Sequence, residues 1–314
     1  MSGPFIAIQT DGVSLKKHRG FLEIKRFDKS GACEPLRVPI DSVEGVLVEA
    51  RGVNFSKSAI LALTEKNIPI ILTDRNHRPL ASVCSFSAHH RASEILDYQV
   101  EATLPNKKGI WKALIQAKIS NQDAVLQETR RKTVLRHLAA RVKSGDSDNR
   151  EGVAARLYWS ALFGKGFVRD PDASGLNGML NFGYAILRSA LAKEIALHGL
   201  HPGIGVHHRS GRNAFRLVDD LMEPYRPMVD YVAFLAVDEG ITEVTKHTKH
   251  LMLQLCYEPI FQGQEWGRSL SSAMRLSVRS YLGRLKSGKT TYQPILKGLF
   301  VEICKLGRRG VLTR

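Results

Sequence analysis

Three places in this chain of 314 residues carry side chains suited to phosphodiester chemistry. The first is Glu151, in the run Arg150-Glu151-Gly152-Val153-Ala154-Ala155-Arg156. The second is the adjacent pair His207-His208, which follows the glycine-rich stretch Leu200–Val206. The third is Asp219-Asp220-Leu221-Met222-Glu223-Pro224. Imidazole is a common metal ligand. Two or three carboxylates with one imidazole make a hard, oxygen-rich donor set, which favours Mg²⁺ or Mn²⁺ over zinc. Such a cation neutralises phosphate charge and activates a hydroxyl nucleophile. Each place also has an ordinary explanation. An acid at a helix start complements the dipole, a histidine pair can be a hydrogen-bonded surface feature, and Asp220-x-x-Glu223 has the form of a capping box.

The elements that must position these groups are legible in part. Asp148 or Asn149 caps a helix that carries Glu151 in its first turn. Pro224 is tolerated in a first helical turn, so a helix is expected to start at Asp220, with both carboxylates near one another at its head. Helical spacing recurs at Trp111, Leu114, Ile115, Lys118 and Ile119, at Val134, Leu135 and Leu138, and at Leu180, Tyr184 and Leu187. Polar loops are expected over 144–149 and 165–179. The earlier part of the chain reads differently. Short apolar runs at 5–8, 21–27, 46–48 and 68–72 end at Gly, Pro or Asn and predict strands, and residues 56–63 have helical composition after an Asn/Ser cap signal. The fold class expected is α+β with two domains: a small β-rich domain over 1–88 and a larger all-helical domain over 89–314. The junction falls within Cys84–His90.

Composition narrows the partners. The chain is 43% hydrophobic and 24% charged, ordinary for a globular protein. No apolar run reaches membrane-span length. The stretch MSGPFIAIQTDG has neither a basic head nor a long apolar core, so no secretory signal is expected, and a cytoplasmic location follows. The four cysteines are far apart and form no CxxC pair, against a disulfide scaffold or a cysteine zinc site. The formal charge is +16. Residues 1–90 hold twelve basic and nine acidic side chains, and the later part holds 34 and 21. The surplus therefore lies with the candidate chemistry, and its natural partner is nucleic acid. The stretch 284–309 is also basic and reads as either a phosphate-binding tail or a solvated end, the overall charge favouring the first.

Taken in order, these motifs resemble the CRISPR-associated integrase/endonuclease family of spacer acquisition, over nearly the whole chain. Glu151 with Ala155-Arg156 and Tyr158-Trp159 resembles that family's glutamate motif. Asn177-x-x-Leu180-Asn181-Phe182-Gly183-Tyr184 resembles its asparagine-rich helix start. Gly199–His208 resembles the approach to its metal histidine, and Asp220–Pro227 the acidic motif that follows. The His-His pair and the Glu-Pro-Tyr-Arg-Pro ending look most like members from type II systems.

The resemblance implies a metal held by Glu151, His208 and Glu223, with His208 preferred to His207 because the family's histidine precedes its last acid by about fifteen residues. Asp220 is implied as a further carboxylate that ligates or orients. Glu223 stands where other members carry Asp. The implied reaction is metal-dependent transesterification, with Mg²⁺ or Mn²⁺ as cofactor: a 3′-hydroxyl of a short double-stranded DNA fragment attacks a phosphodiester at the edge of a CRISPR repeat, as part of antiviral defence. Endonuclease activity accompanies it. Implied partners are a second copy of the chain, paired through the β domain, and a smaller adaptation protein. By their nearness in sequence to the motifs, Arg156, Arg212, Arg216 and Lys249 are candidate DNA contacts. Two other functions fit the same residues: a metal-dependent nuclease acting alone on branched or single-stranded nucleic acid, and a basic binder with no active site.

Overall fold

The computed structural model describes residues 5–28, 31–32, 34–73, 79–83, 85, 91–257 and 269–288. The chain divides into two compact units, 1–90 and 91–314. In the first, strands β1 (Phe5–Ile8), β2 (Val13–His18), β3 (Phe21–Asp28), β4 (Gly31–Ala32), β5 (Leu36–Pro39), β6 (Gly45–Val48) and β7 (Val53–Phe55) precede helix α1 (Lys57–Glu65) and strands β8 (Ile70–Thr73) and β9 (Pro79–Val83). They form two sheets. One has the order β1-β6-β8-β9, and the other β4-β3-β2-β7 with β5 also on β3. Parallel pairs β1–β6 and β6–β8 set three apolar strands side by side, so Val46 and Leu47 are fully buried. Ser56 caps α1 by accepting the Ala59 amide, and Leu63 packs inward with Leu15, Leu22 and Ile40.

The second unit is helical. Its elements are α2 (Ala92–Glu101), α3 (Leu104–Glu128), α4 (Leu135–Ala140), α5 (Arg150–Phe163), α6 (Leu176–Leu197), α7 (Arg216–Met222), α8 (Arg226–Asp238), α9 (Lys246–Tyr257) and α10 (Leu270–Ser287). Thr103 caps α3. Helix α6 runs through the interior and is buried on most sides, Met179 through Leu187 almost without a break. Gly183 is there because nothing larger fits. A Cβ at this position would lie 2.4 Å from Val229 Cγ1 on α8 and 2.9 Å from Met252 Sδ on α9.

The expected loop over 144–149 is a 3₁₀ turn, Ser144–Asp146, that leads into α5. The loop expected over 165–179 is shorter, because α6 begins at Leu176. The expected helix start at Asp220 is wrong. Phe215 precedes the first residue of α7, and Asp220 lies well inside that helix. Its carboxylate is fully committed to another segment of chain and does not cap its own helix. Glu223 and Pro224 instead open a 3₁₀ turn, Glu223–Tyr225, between α7 and α8. Cys256 is buried, while Cys33, Cys84 and Cys304 lie outside the described residues. So does the basic tail beyond residue 288. Among the described residues no helix is long and apolar enough to cross a membrane.

Candidate active site

Glu151 owes its place to a doubly capped helix start. Asp146 accepts the amides of Arg150 at 2.8 Å and Glu151 at 3.0 Å, and Asn149 accepts that of Gly152 at 3.1 Å. Asn149 takes a left-handed conformation, φ 51°, which asparagine tolerates better than most residues. The helix therefore begins rigidly, with Glu151 in its first turn.

The histidine loop is built around Asp220, which has no exposed surface. One carboxylate oxygen accepts the amides of Val206 at 2.5 Å and His207 at 2.9 Å. The other accepts the His208 amide at 3.2 Å and contacts His208 Nδ1. Four donors converge on one buried anion, so Asp220 orients and the loop wraps around it. Gly205 allows the approach, since a Cβ there would sit 2.8 Å from Asp220 Oδ2. Gln99 on α2 fixes the loop's other end, accepting the His201 amide at 2.7 Å and donating to His201 O at 3.2 Å. With Nδ1 committed to Asp220, Nε2 is the nitrogen of His208 left for a ligand. The Asp220 hydrogen bond is the chief reason the His208 pKa stands above its ordinary value; burial opposes it, and the Glu223 charge adds to it. His207 goes elsewhere: its ring stacks on Trp111, centroids 4.2 Å apart and planes 3° from parallel.

Glu223 is buried. Burial pushes its carboxyl pKa up, but the charges of Arg226 and Lys118 overcome that and hold it at about 2. Arg226 Nε donates to Glu223 Oε1 at 2.9 Å. The other oxygen, Oε2, lies 2.5 Å from Lys118 Nζ. Lys118 Nζ is also 2.5 Å from Glu151 Oε1. Two carboxylates from α5 and from the turn after α7 thus share one cation supplied by α3. Asn121, one turn further along α3, donates to Pro224 O at 2.8 Å and holds that turn against the same helix.

Behind Glu223 lies a buried polar network. Asp230 on α8 accepts from Tyr158 at 3.0 Å and from Tyr184. Burial raises the Asp230 carboxyl pKa to about 7 despite both bonds. The Arg226 guanidinium lies 4.7 Å from the Tyr184 ring centroid, which links the network to Glu223. The asparagine motif is structural: Arg169 donates to Asn177 and Asn181, and these in turn donate to the carbonyls of Val168 and Pro171, closing the loop before α6.

The structure brings Glu151 and Glu223 together through Lys118, and sets His208 within the electrostatic reach of Glu223. Among the described residues no three His, Cys, Asp or Glu side chains converge as a ready metal cage. The donor set nevertheless fits a hard divalent cation. Its two acids already flank a cation, and Glu223 Oε2 is buried with no directional hydrogen bond. Next to His208 open two contiguous hollows of about 420 and 380 Å³, lined by Lys107, Lys108, His207, His208, Arg209 and Arg216. Of the four arginines and lysines expected to meet DNA, only Arg216 lines them. Arg156 and Arg212 are exposed elsewhere, and Lys249 lies against the Phe182 ring. Lys107, Lys108, Arg209 and Lys118 were not singled out as functional from the sequence. A lysine within the apolar stripe of α3 was the available signal for the last of these.

Comparison with known proteins adds the lineage. The family model described as CRISPR associated protein Cas1 matches residues 6–255. A CRISPR-associated endonuclease Cas1 from Neisseria meningitidis serogroup C is 35% identical over 235 residues, which is 73% of this chain and 77% of that protein. One from Pyrobaculum aerophilum is 31% identical over 249 residues, 72% of this chain and 79% of that protein. Among solved structures, a casposase bound to its integration product is similar in fold, with a TM-score of 0.77 at 22% identity over 92% of each chain. A Cas1 protein from Thermotoga maritima has a TM-score of 0.70 at 18% identity, over 92% of this chain and 99% of that one.

Proposed function

Because the chain belongs to the CRISPR-associated protein Cas1 family and is a nuclease and integrase of CRISPR adaptation, we propose that Glu151, His208 and Glu223 form its metal-binding active site. The observation that carries this reading is the Lys118 ammonium held 2.5 Å from both Glu151 and Glu223, a cation already seated between the two acids. When bound, Mg²⁺ or Mn²⁺ would polarise the phosphodiester and stabilise the charge of its transition state. The chain's own residues do the rest. Asp220 fixes the His208 tautomer and the loop that carries it. Arg226 keeps Glu223 ionised and oriented. Lys107, Lys108, Arg209 and Arg216 offer an anionic backbone a basic seat beside His208.

The substrates in this reading are double-stranded DNA fragments with free 3′-hydroxyl ends and the repeat of a CRISPR array, in the cytoplasm. Two ends must be joined on opposite strands, so the working form contains at least two copies of the chain. Pairing through the β-rich unit fits its exposed Phe21, Phe27 and Leu36. A smaller adaptation protein is the further partner. A solved Cas6-RT-Cas1–Cas2 complex contains a chain of similar fold, with a TM-score of 0.68 at 17% identity.

An integration assay tests the assignment. Purified protein, its small partner, Mn²⁺ and a labelled duplex are mixed with a supercoiled plasmid bearing a repeat. Joined product is expected with the wild type and with His207→Ala, and none with His208→Ala. Loss with His207→Ala alone would move the ligand by one residue. Nicked plasmid without joined duplex would favour a nuclease that acts alone.

A further inference from the structure

Lys118 lies on the face of α3 that also presents Trp111, Leu114, Ile115 and Ile119 to the interior, and its side chain is only 11% exposed. Burying an ammonium is costly, and one carboxylate would be enough to balance its charge. This ammonium instead has two, from elements that do not otherwise need to meet. Glu223 is already neutralised by Arg226 through its other oxygen. Lys118 is therefore not needed to neutralise Glu223, and its own charge is matched by Glu151; its contact with Glu223 instead holds the two acids together. Without a cation between them, Glu151 and Glu223 would repel. Arg226 holds one oxygen of Glu223 and Lys118 the other, so a divalent ion ligated by both acids would compete with Lys118 for Glu223 and for the space between the two carboxylates.

We propose that Lys118 is a positioning residue that acts as a resident counter-ion: it keeps Glu151 and Glu223 paired, and competes with the divalent metal for them. This rests on the assignment of both acids as ligands. Its ammonium must release at least one of them when the ion binds, so the wild-type protein binds metal more weakly than its donor set allows. A lysine with a purely structural role would have the opposite signature, because its removal would loosen the site and weaken metal binding.

The test is Mn²⁺ titration without DNA, followed by calorimetry and by the signal of free Mn²⁺ in electron paramagnetic resonance. The full chain is compared with Lys118→Met, Lys118→Arg and Glu151→Ala. Lys118→Met keeps an unbranched side chain one atom shorter and removes its charge. It is expected to tighten Mn²⁺ binding by about tenfold or more, with Lys118→Arg near the wild type. Its melting temperature should fall without metal and rise further on Mn²⁺ addition than the wild type's. If Lys118→Met is unfolded without metal, Mn²⁺ should refold it, as read by circular dichroism. Unchanged or weaker binding by Lys118→Met, or no refolding with Mn²⁺, overturns the proposal. If Glu151→Ala still abolishes binding in that case, the metal site itself stands. If Glu151→Ala binds Mn²⁺ as the wild type does, both assignments fall together.

Discussion

Replacing Asp220 by Asn changes one atom and should detach the histidine loop. The two carboxylate oxygens receive the amides of Val206, His207 and His208 and the His208 ring nitrogen. An amide keeps one acceptor and turns the other into a donor that faces N–H groups. Whichever way it is oriented, two charge-assisted bonds are lost. Each is worth about 1.5–3 kcal/mol, so the variant should lose about 3–6 kcal/mol, a large part of a typical domain's stability. Urea denaturation measures the total, and hydrogen exchange at the three amides shows whether the loss is local. His208 supplies a second readout. Its pKa is raised by Asp220, so its contribution to stability is full below about pH 6.5 and fades as pH rises through the folded-state value. The gap between wild type and variant is therefore widest in acid and narrows above neutrality. Solvent screens part of this term, because the His208 side chain is 44% exposed. In the NMR titration of the imidazole, Asp220→Asn should move the midpoint down towards the ordinary histidine value. An unchanged urea midpoint together with an unchanged imidazole titration would refute the assignment of Asp220 as the loop's anchor.

Two further substitutions probe the frame behind the site. Asp230 holds a proton in the folded state up to about pH 7, which the unfolded chain releases near pH 4. Stability should therefore fall as pH rises through that window, by at most on the order of 4 kcal/mol, and Asp230→Asn should flatten the slope; equal slopes in urea midpoints at pH 5 and pH 8 would count against it. Gly183→Ala drives a methyl group into Val229 and Met252 and should cost about 1–3 kcal/mol. A melting temperature within a degree of the wild type would show that α8 and α9 yield more easily than the packing suggests.

The elements were legible wherever local chemistry decides them. The strand at Phe5–Ile8, the serine cap of α1 and the Asn149 cap ahead of Glu151 each follow from a few neighbouring residues. The ordered motifs likewise pointed to the acids and the histidine. Asp220 misled because its local pattern, an acid three residues before Glu223, matches a cap, while its real donors come from a loop twelve to fourteen residues earlier. Lys118 was hidden for a related reason. Helical spacing placed it on the buried face of α3, but its partners lie on other elements, and no local rule names them. The four suggested DNA contacts were chosen by nearness in sequence, which says little about which face of a helix meets a cavity; only Arg216 does.

Helix α3 reaches the site through contacts that are distant along the chain. Lys118 meets Glu151 across 33 residues, and Asn121 meets Pro224 across 103. Contacts of such long range close late, because large loops must be ordered before they form. During synthesis, a chain that has emerged only as far as α6 has Glu151 and Lys118 but neither the histidine loop nor Glu223. With the site assigned as proposed, a nascent chain therefore lacks its complete ligand set until the turn after α7 has docked, and a product truncated at α6 carries only one of the two acids.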